Sequence, residues 1–362
     1  MTDDLHDRLP GGRVLACSDE GFAPAENLLA TRAPEFRFGV FIPGKGQEFD
    51  SWETRRHNPA PPDWVVLALG APGPIATVDV DTHWHDGNHA ERGAVRALRA
   101  APGESPTRED PRWVEILPPS PLDGHAHNVF RTPRGEAEAW THVLLESHPD
   151  GGIARLRCYA GRAPADVDPG AGDVRRVRHA ASIPRGGDTA HHGPTAEEVA
   201  ARWAAVAPGA LVNLAGEGLG ARVVATSNNR YGHSQQLLAD AAPVSMGDGW
   251  ETSRSRGEGH ADHVVVALGR AGVVERVEVD FTCFVLNNPA ALRLLGARVE
   301  GDVPGEGDWV DLVGRTPVKH LAGATLALDA GSLAARGPFT HVRLETYPDG
   351  GANRLRVYGR AE

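Results

Sequence analysis

Residues 140–157 read "WTHVLLESHPDGGIARLR" and residues 339–356 read "FTHVRLETYPDGGANRLR", with twelve of eighteen positions identical and no gap. In both, a run rich in Val and Leu with partial polar alternation is followed by Pro-Asp-Gly-Gly and a second short run. This is the pattern of two strands with turn chemistry between them, and each PDGG is expected to close a β-hairpin. Further matches appear in the same order outward from this stretch. "CSDEGFAPAENLL" from Cys17 parallels "TSNNRYGHSQQLL" from Thr226, "DSWETRRHNPAPPDWVVLALG" from Asp50 parallels "DGWETSRSRGEGHADHVVVALG" from Asp248, and "ATVDVDT" from Ala76 parallels "ERVEVDF" from Glu275. "RWVEIL" from Arg112 likewise parallels "DWVDLV" from Asp308. Collinear matches offset by about 200 residues mean a duplicated domain.

The copies read as 1–162 and 209–362, with 163–208 between them rich in Gly, Pro, Asp and Ala, a linker composition. Inside it, "TAEEVAARWAAVAP" from Thr195 carries a capping Thr, early acidic residues and helical apolar spacing, which predicts one short helix. Elsewhere "WVVLALG", "IATVDVD", "THVLLES" and "ARLRCYA" are strand-length runs without crossover helices between them. The expected class is therefore all-β, two tandem antiparallel sandwiches or jelly rolls.

Composition narrows the function classes. A formal charge of −11 with scattered arginines argues against a nucleic-acid partner. No stretch offers the roughly eighteen uninterrupted apolar residues of a membrane span, and the acidic first residues do not resemble a secretory signal, so a soluble cytoplasmic protein is expected. Three widely spaced cysteines, Cys17, Cys158 and Cys283, give no disulfide framework and no cysteine-based zinc spacing. An acidic two-domain chain of this kind is expected to form homo-oligomers. "GEGLGA" at Gly216 precedes a strand rather than a helix and is discounted as a phosphate loop.

The stretches "SDEGFAPAENLL", "DSWETRRHNPAPPDWVVLALG", "DTHWHDGNHA" and "HPDGGIARLRCYAGR", with "DGWETSRSRGEGHADHVVVALG" and "YPDGGANRLRVYG" in the second copy, resemble the allantoicase family over essentially the whole chain outside the linker. The resemblance implies two jelly rolls of the galactose-binding, discoidin-like type. It also implies hydrolysis of allantoate to ureidoglycolate and urea in purine breakdown; a tandem jelly-roll ligand-binding module, or a hydrolase of a related ureido acid, is the alternative the same sandwich supports. Where family members commonly read D-T-x-H-F-x-G-N, this chain has Asp81, Thr82, His83, Trp84, His85, Asp86, Gly87 and Asn88, an aromatic in the usual His place. The second copy reads "DFTCFVLNNP" from Asp280, so a second centre built like the first is not expected.

Allantoate carries one carboxylate and two ureido groups on a single carbon, which sets the residue types required. Guanidinium forks suit the carboxylate, carboxyl or imidazole groups suit proton transfer, and amide-binding groups suit the ureido arms. The catalytic candidates are Glu20, His83, His85 and Asp86, and the substrate-binding candidates are Asp50, Glu53, Arg55, Arg56, Asn88 and Arg254. Glu53 and Arg56 are equally suited to a loop-closing ion pair. Residues kept in both copies, Trp52 and Trp250, the Thr141–His142 and Thr340–His341 pairs, Asp150 and Asp349, read first as scaffold. No cofactor is assigned. A divalent metal stays open, because His83 and His85 on one strand face would have ligand spacing, with His89, Asp86 or His125 as third donor.

Overall fold

The computed structural model describes residues 7–186, 191–257, 259–301 and 303–362. The chain forms two compact units, one of residues 1–40 and 48–183, the other of residues 41–47 and 184–362. In chain order the first stretch contributes β1 (Arg13–Cys17), β2 (Phe36–Ile42), β3 (Gly46–Phe49), β4 (Trp52–Glu53), β5 (Asp63–Gly73), β6 (Thr77–Asp81), β7 (Arg92–Leu98), β8 (Val114–Pro121), β9 (Ala126–Arg131), β10 (Trp140–His148), β11 (Gly152–Ile153), β12 (Arg155–Tyr159) and β13 (Val174–Arg178). After α1 (Ala196–Ala205) follow β14 (Val212–Asn213), β15 (Arg222–Thr226), β16 (Trp250–Glu251), β17 (Asp262–Asp280), β18 (Ala291–Ala297), β19 (Val310–Pro317), β20 (Thr325–Asp329), β21 (Phe339–Tyr347), β22 (Gly351–Ala352) and β23 (Arg354–Ala361).

The first unit is an antiparallel sandwich, with one sheet in the order β1-β5-β10-β7-β8 and the other β12-β6-β9-β13. Apart from the mostly exposed β13, the strands turn apolar side chains inward. Leu145 of β10 stands opposite Val65 and Val95 in its own sheet, and these join Leu67, Val78, Val80, Leu156 and the fully buried Trp52 in one core. A second small cluster of Val129, Tyr159, Ala163 and Val167 covers the outer face of β9 and β12. Residues of the Gly/Pro-rich stretch after the first repeat thus cover one face of the sandwich, and β13 pairs with β9 from Val174↔Phe130 to Arg178↔Ala126.

The second unit repeats this arrangement on one long strand. The first half of β17 pairs with β15 and β21, its second half with β20 and β23, and the register shifts between Ala267 and Gly272. One continuous strand therefore does the work of β5 and β6. The helix expected near Thr195 is present: Thr195 accepts from the Glu198 N–H while the Glu198 side chain accepts from the Thr195 N–H, closing a capping box.

The two PDGG stretches do not close hairpins. β10 lies between β5 and β7 in one sheet, whereas β12 pairs with β6 in the other. The turn carries the chain across the sandwich, and β11 beyond it pairs with β4. Pro, Asp and Gly favour tight turns whichever sheet the chain enters next.

Candidate functional site

Because neighbouring strands are antiparallel, the ends of β1, β6, β8 and β10 and the starts of β5, β7, β9 and β12 gather at one end of the first sandwich. Their loops are laced together by specific contacts. Trp52 Nε1 donates to Asp19 O (2.8 Å), Gly151 N–H to Thr54 Oγ1 (3.0 Å), and His125 N–H to His85 O (2.7 Å). Ala23 bridges to Glu53, and His89 to Gly152. The sequence-predicted Glu20, Asp50, Glu53, Arg55, Arg56, His83, His85, Asp86 and Asn88 all stand in or beside these loops. Arg254 stands in the equivalent WETSR loop of the second unit and is buried there.

Their environments differ. Glu20 is exposed and accepts from the Ala25 N–H through Oε2 (3.1 Å). Arg55 is also exposed, and its fork embraces Asp19: the backbone N–H donates to Oδ1 and Nε to Oδ2, both at 2.7 Å. Glu53, Arg56 and Asn88 are buried beneath this rim, and Asn88 Nδ2 donates to Glu53 Oε1 (2.8 Å). Asp50 meets the buried Arg155, whose Nη2 donates to Oδ2 (2.7 Å) and whose Nη1 donates to the Asp50 carbonyl (2.8 Å). Burial works against the Asp50 charge, but Arg155, the Glu35 N–H and Arg32 outweigh it and hold the carboxyl below its usual range. Asp86 lies 3.6 Å from the exposed Arg178, a pair worth about 0–1 kcal/mol.

The second unit shows which of these features serve the fold. Arg354 grips Asp248 as Arg155 grips Asp50, Asn287 donates to Glu251 as Asn88 does to Glu53, and Gly350 N–H donates to Thr252 as Gly151 does to Thr54. The Asp19–Arg55 pair has no such twin, since Asn228 and Ser253 stand there, and Glu20 is replaced by Asn229. The buried His85 ring stacks on Phe49 at 4.8 Å and fills the slot that Phe284 fills in the second copy: a Cβ added at Gly152 would lie 2.2 Å from His85 Nδ1, and one at Gly351 2.1 Å from Phe284.

His83 and His85 do not share a strand face. β6 ends at Asp81, and Trp84 takes φ +68°, a conformation uncommon for a bulky side chain, so the alternation of a strand is broken between them. His83 instead stacks on His179, ring centres 3.6 Å apart and 6° from parallel. His179 Nε2 bonds Asp81 Oδ1 (2.8 Å), which also accepts from the His83 N–H (2.9 Å). Burial, then the nearby His179, pushes the His83 imidazole down to about 4. His125 is engaged at both ring nitrogens, Nδ1 accepting from the Trp84 N–H (3.0 Å) and Nε2 bonding Ala181 O (2.7 Å). His127 bonds Asp79 at 2.8 Å; burial disfavours its charge, yet the Asp79 hydrogen bond and charge prevail and raise it to about 9. Sequence reading missed Asp81, His179 and Asp19. The acidic "SDE" was the available signal for Asp19, whereas His179 lay 98 residues from its partner in a stretch of linker composition.

A cavity of about 1000 Å³ opens in the second unit, lined among others by Val199 of α1, Glu217, Arg222, His233 and Gln235. None of the sequence-predicted site residues lines it. Among the described residues no helix is long and apolar enough to cross a membrane.

Fold and loop cluster together define a duplicated jelly-roll protein whose first copy carries an added layer of charged rim residues. The chain belongs to the allantoicase family: the model of the allantoicase repeat matches residues 3–163 and 212–362. It is 35% identical over 99% of its length, and 92% of the relative's, to a probable allantoicase of Schizosaccharomyces pombe. It is 36% identical over 98% of its length, and 93% of the relative's, to one from Nocardia farcinica. A crystal structure of allantoicase from Saccharomyces cerevisiae is 31% identical, covering 99% of this chain and 92% of that one, with a TM-score of 0.38.

Proposed function

We propose that this protein hydrolyses allantoate to ureidoglycolate and urea in purine breakdown, and that the reaction takes place at the loop end of the first unit. The observation that carries the reading is the match of both repeats, at 35–36% identity over nearly the whole chain, to proteins named as probable allantoicases. The residues gathered at that end suit the chemistry. Water adds at the carbon bearing the two ureido groups, the bond to one ureido nitrogen breaks, a base takes the water proton, and the departing nitrogen receives one.

Arg55, exposed on the rim, offers its fork to the substrate carboxylate by exchanging Asp19 for it, and Arg56 supplies positive charge at the floor. Glu20 and Asp86 reach solvent and serve the two proton transfers. The Asn88–Glu53 pair, repeated as Asn287–Glu251 in the second unit, holds the floor beneath the rim. Asp50 acts through Arg155 as a loop anchor, His85 as packing beneath the loops, and Arg254 in the equivalent loop of its own unit. Two further proposals accompany this one: the protein works in the reducing cytoplasm, which suits its three free thiols, and it self-associates.

The test is urea release by purified protein given allantoate, with allantoin and ureidoglycolate as controls. Urea from allantoate alone supports the reading; no urea from allantoate, or release only from ureidoglycolate, overturns it.

A further inference from the structure

We propose that Asp81, His83 and His179 form a binding site for one divalent transition-metal ion of the zinc class, separate from the residues assigned to allantoate. One donor atom from each residue lies within 4.8 Å of the others. Donors held about 2.0–2.2 Å from a tetrahedral ion stand about 3.3–3.6 Å apart, so the donor atoms draw together and the imidazoles turn as the ion enters. Two imidazoles and a carboxylate are the donor set that zinc accepts with a fourth position left for water.

Three observations separate this cluster from an ordinary hydrogen-bonded histidine group. His83 Nε2 is buried with no hydrogen-bond partner, an arrangement that leaves a polar atom desolvated unless a ligand meets it. Asp81, itself buried, has its Oδ1 oriented by the His83 backbone N–H, the outer support that a metal ligand needs, and already meets His179 at 2.8 Å. The neighbouring imidazoles are committed elsewhere, His125 to Trp84 and Ala181, His127 to Asp79, which leaves His83 and His179 as the pair able to turn toward an ion. His127 stands beside His179, ring centres 4.5 Å apart, but its Nδ1 bonds Asp79 at 2.8 Å and so is not offered to the ion.

The cluster is also particular to this place in the chain. In the second copy Asp280 keeps the carboxylate and accepts from the Thr282 N–H (2.7 Å), but Thr282 replaces His83. His179 lies outside both spans matched by the repeat model. The site is therefore built by one histidine that the duplicated scaffold does not require and another brought in by the chain beyond β13.

The two rings now lie face to face, so a shared ion must open the stack, and Trp84, whose ring centre is 4.5 Å from that of His83, reports it. The experiment is equilibrium dialysis of the full-length protein against zinc and cobalt(II), with elemental analysis, cobalt absorbance and tryptophan fluorescence. His83→Thr and His179→Gln are compared with His320→Gln, an exposed histidine in the second unit. About one tightly held ion per chain is expected, with a fluorescence change that Trp84→Phe removes. Affinity should fall at least about 100-fold in either ligand variant, the upper end of what loss of an outer-sphere partner costs, and stay unchanged in the control. His83→Thr copies the residue that the second unit folds around, so it decides alone should His179→Gln fail to fold. No stoichiometric binding, or binding that His83→Thr leaves intact, overturns the proposal whether or not allantoate is hydrolysed.

Discussion

Replacing Arg155 by Met removes the guanidinium that ties the WET loop of the first unit to β12. Arg155 is 1% exposed and makes four polar contacts: Nη2 to the Asp50 carboxylate, Nη1 to the carbonyls of Asp50 and Ala154, and Nε to the Arg32 carbonyl. Breaking a buried pair by deleting one partner costs about 3–5 kcal/mol. Asp50 retains some solvent and keeps Arg32 beside it, which lowers the expected loss to about 2–4 kcal/mol, and the apolar Met recovers part of the packing. With a guanidinium dependence of about 4 kcal/mol/M for a unit of this size, the midpoint of the first unit's unfolding falls by about 0.5–1 M. The assay is guanidinium denaturation followed by tryptophan fluorescence and far-UV circular dichroism, with Arg354→Met as the twin in the second unit, where the same grip on Asp248 predicts a similar loss. A midpoint unchanged within about 0.2 M, accompanied by a raised KM for allantoate, would refute the anchor role and return Asp50 to the substrate site.

Asn88→Ala strips the buried Glu53 of a hydrogen bond to a charged group and should destabilise the first unit by about 1.5–3 kcal/mol. Asn287→Ala should do the same through Glu251 in the second, and thermal denaturation of the two variants checks both. Gly152→Ala drives a Cβ against the buried His85 ring and is expected to cost about 1–3 kcal/mol; Gly152→Ala combined with His85→Ala should recover part of that, and equal stability of wild type and Gly152→Ala would contradict the close packing. The raised His127 gives a pH signature. A group whose folded pKa of about 9 exceeds its unfolded value of 6.5 contributes stability that is complete below pH 6.5 and lost as the pH rises through 9. Tm should therefore decline across that window in the wild type and decline less in His127→Asn; identical slopes would remove the Asp79–His127 ion pair from the account.

The duplication was legible because the residues that repeat are those the sandwich needs, Trp52 and Trp250 in the core and the PDGG turns beside them. The destination of the turn was not, because Pro, Asp and Gly encode a change of direction and say nothing about which sheet receives the next strand. The pairing of His83 with His85 failed for a local reason. A two-residue spacing places side chains on one face only within a strand, and β6 stops at Asp81 before a backbone with Trp84 at positive φ. Conversely, β13 and His179 were hidden by composition, since a strand of mostly exposed arginines and valines in a Gly/Pro-rich stretch lacks apolar alternation. The loop residues were found together because the resemblance to a known family carried topology that spacing alone does not contain.

Glu20→Gln against Asn229→Ala, compared by kcat for urea release from allantoate, tests most directly whether the chemistry sits in the first copy. The amide keeps an acceptor for the Ala25 N–H but gives up proton transfer, so kcat should fall by about 100-fold or more with stability intact, while Asn229→Ala leaves it unchanged. An unaffected Glu20→Gln enzyme, or equal loss at Asn229, would contradict the account.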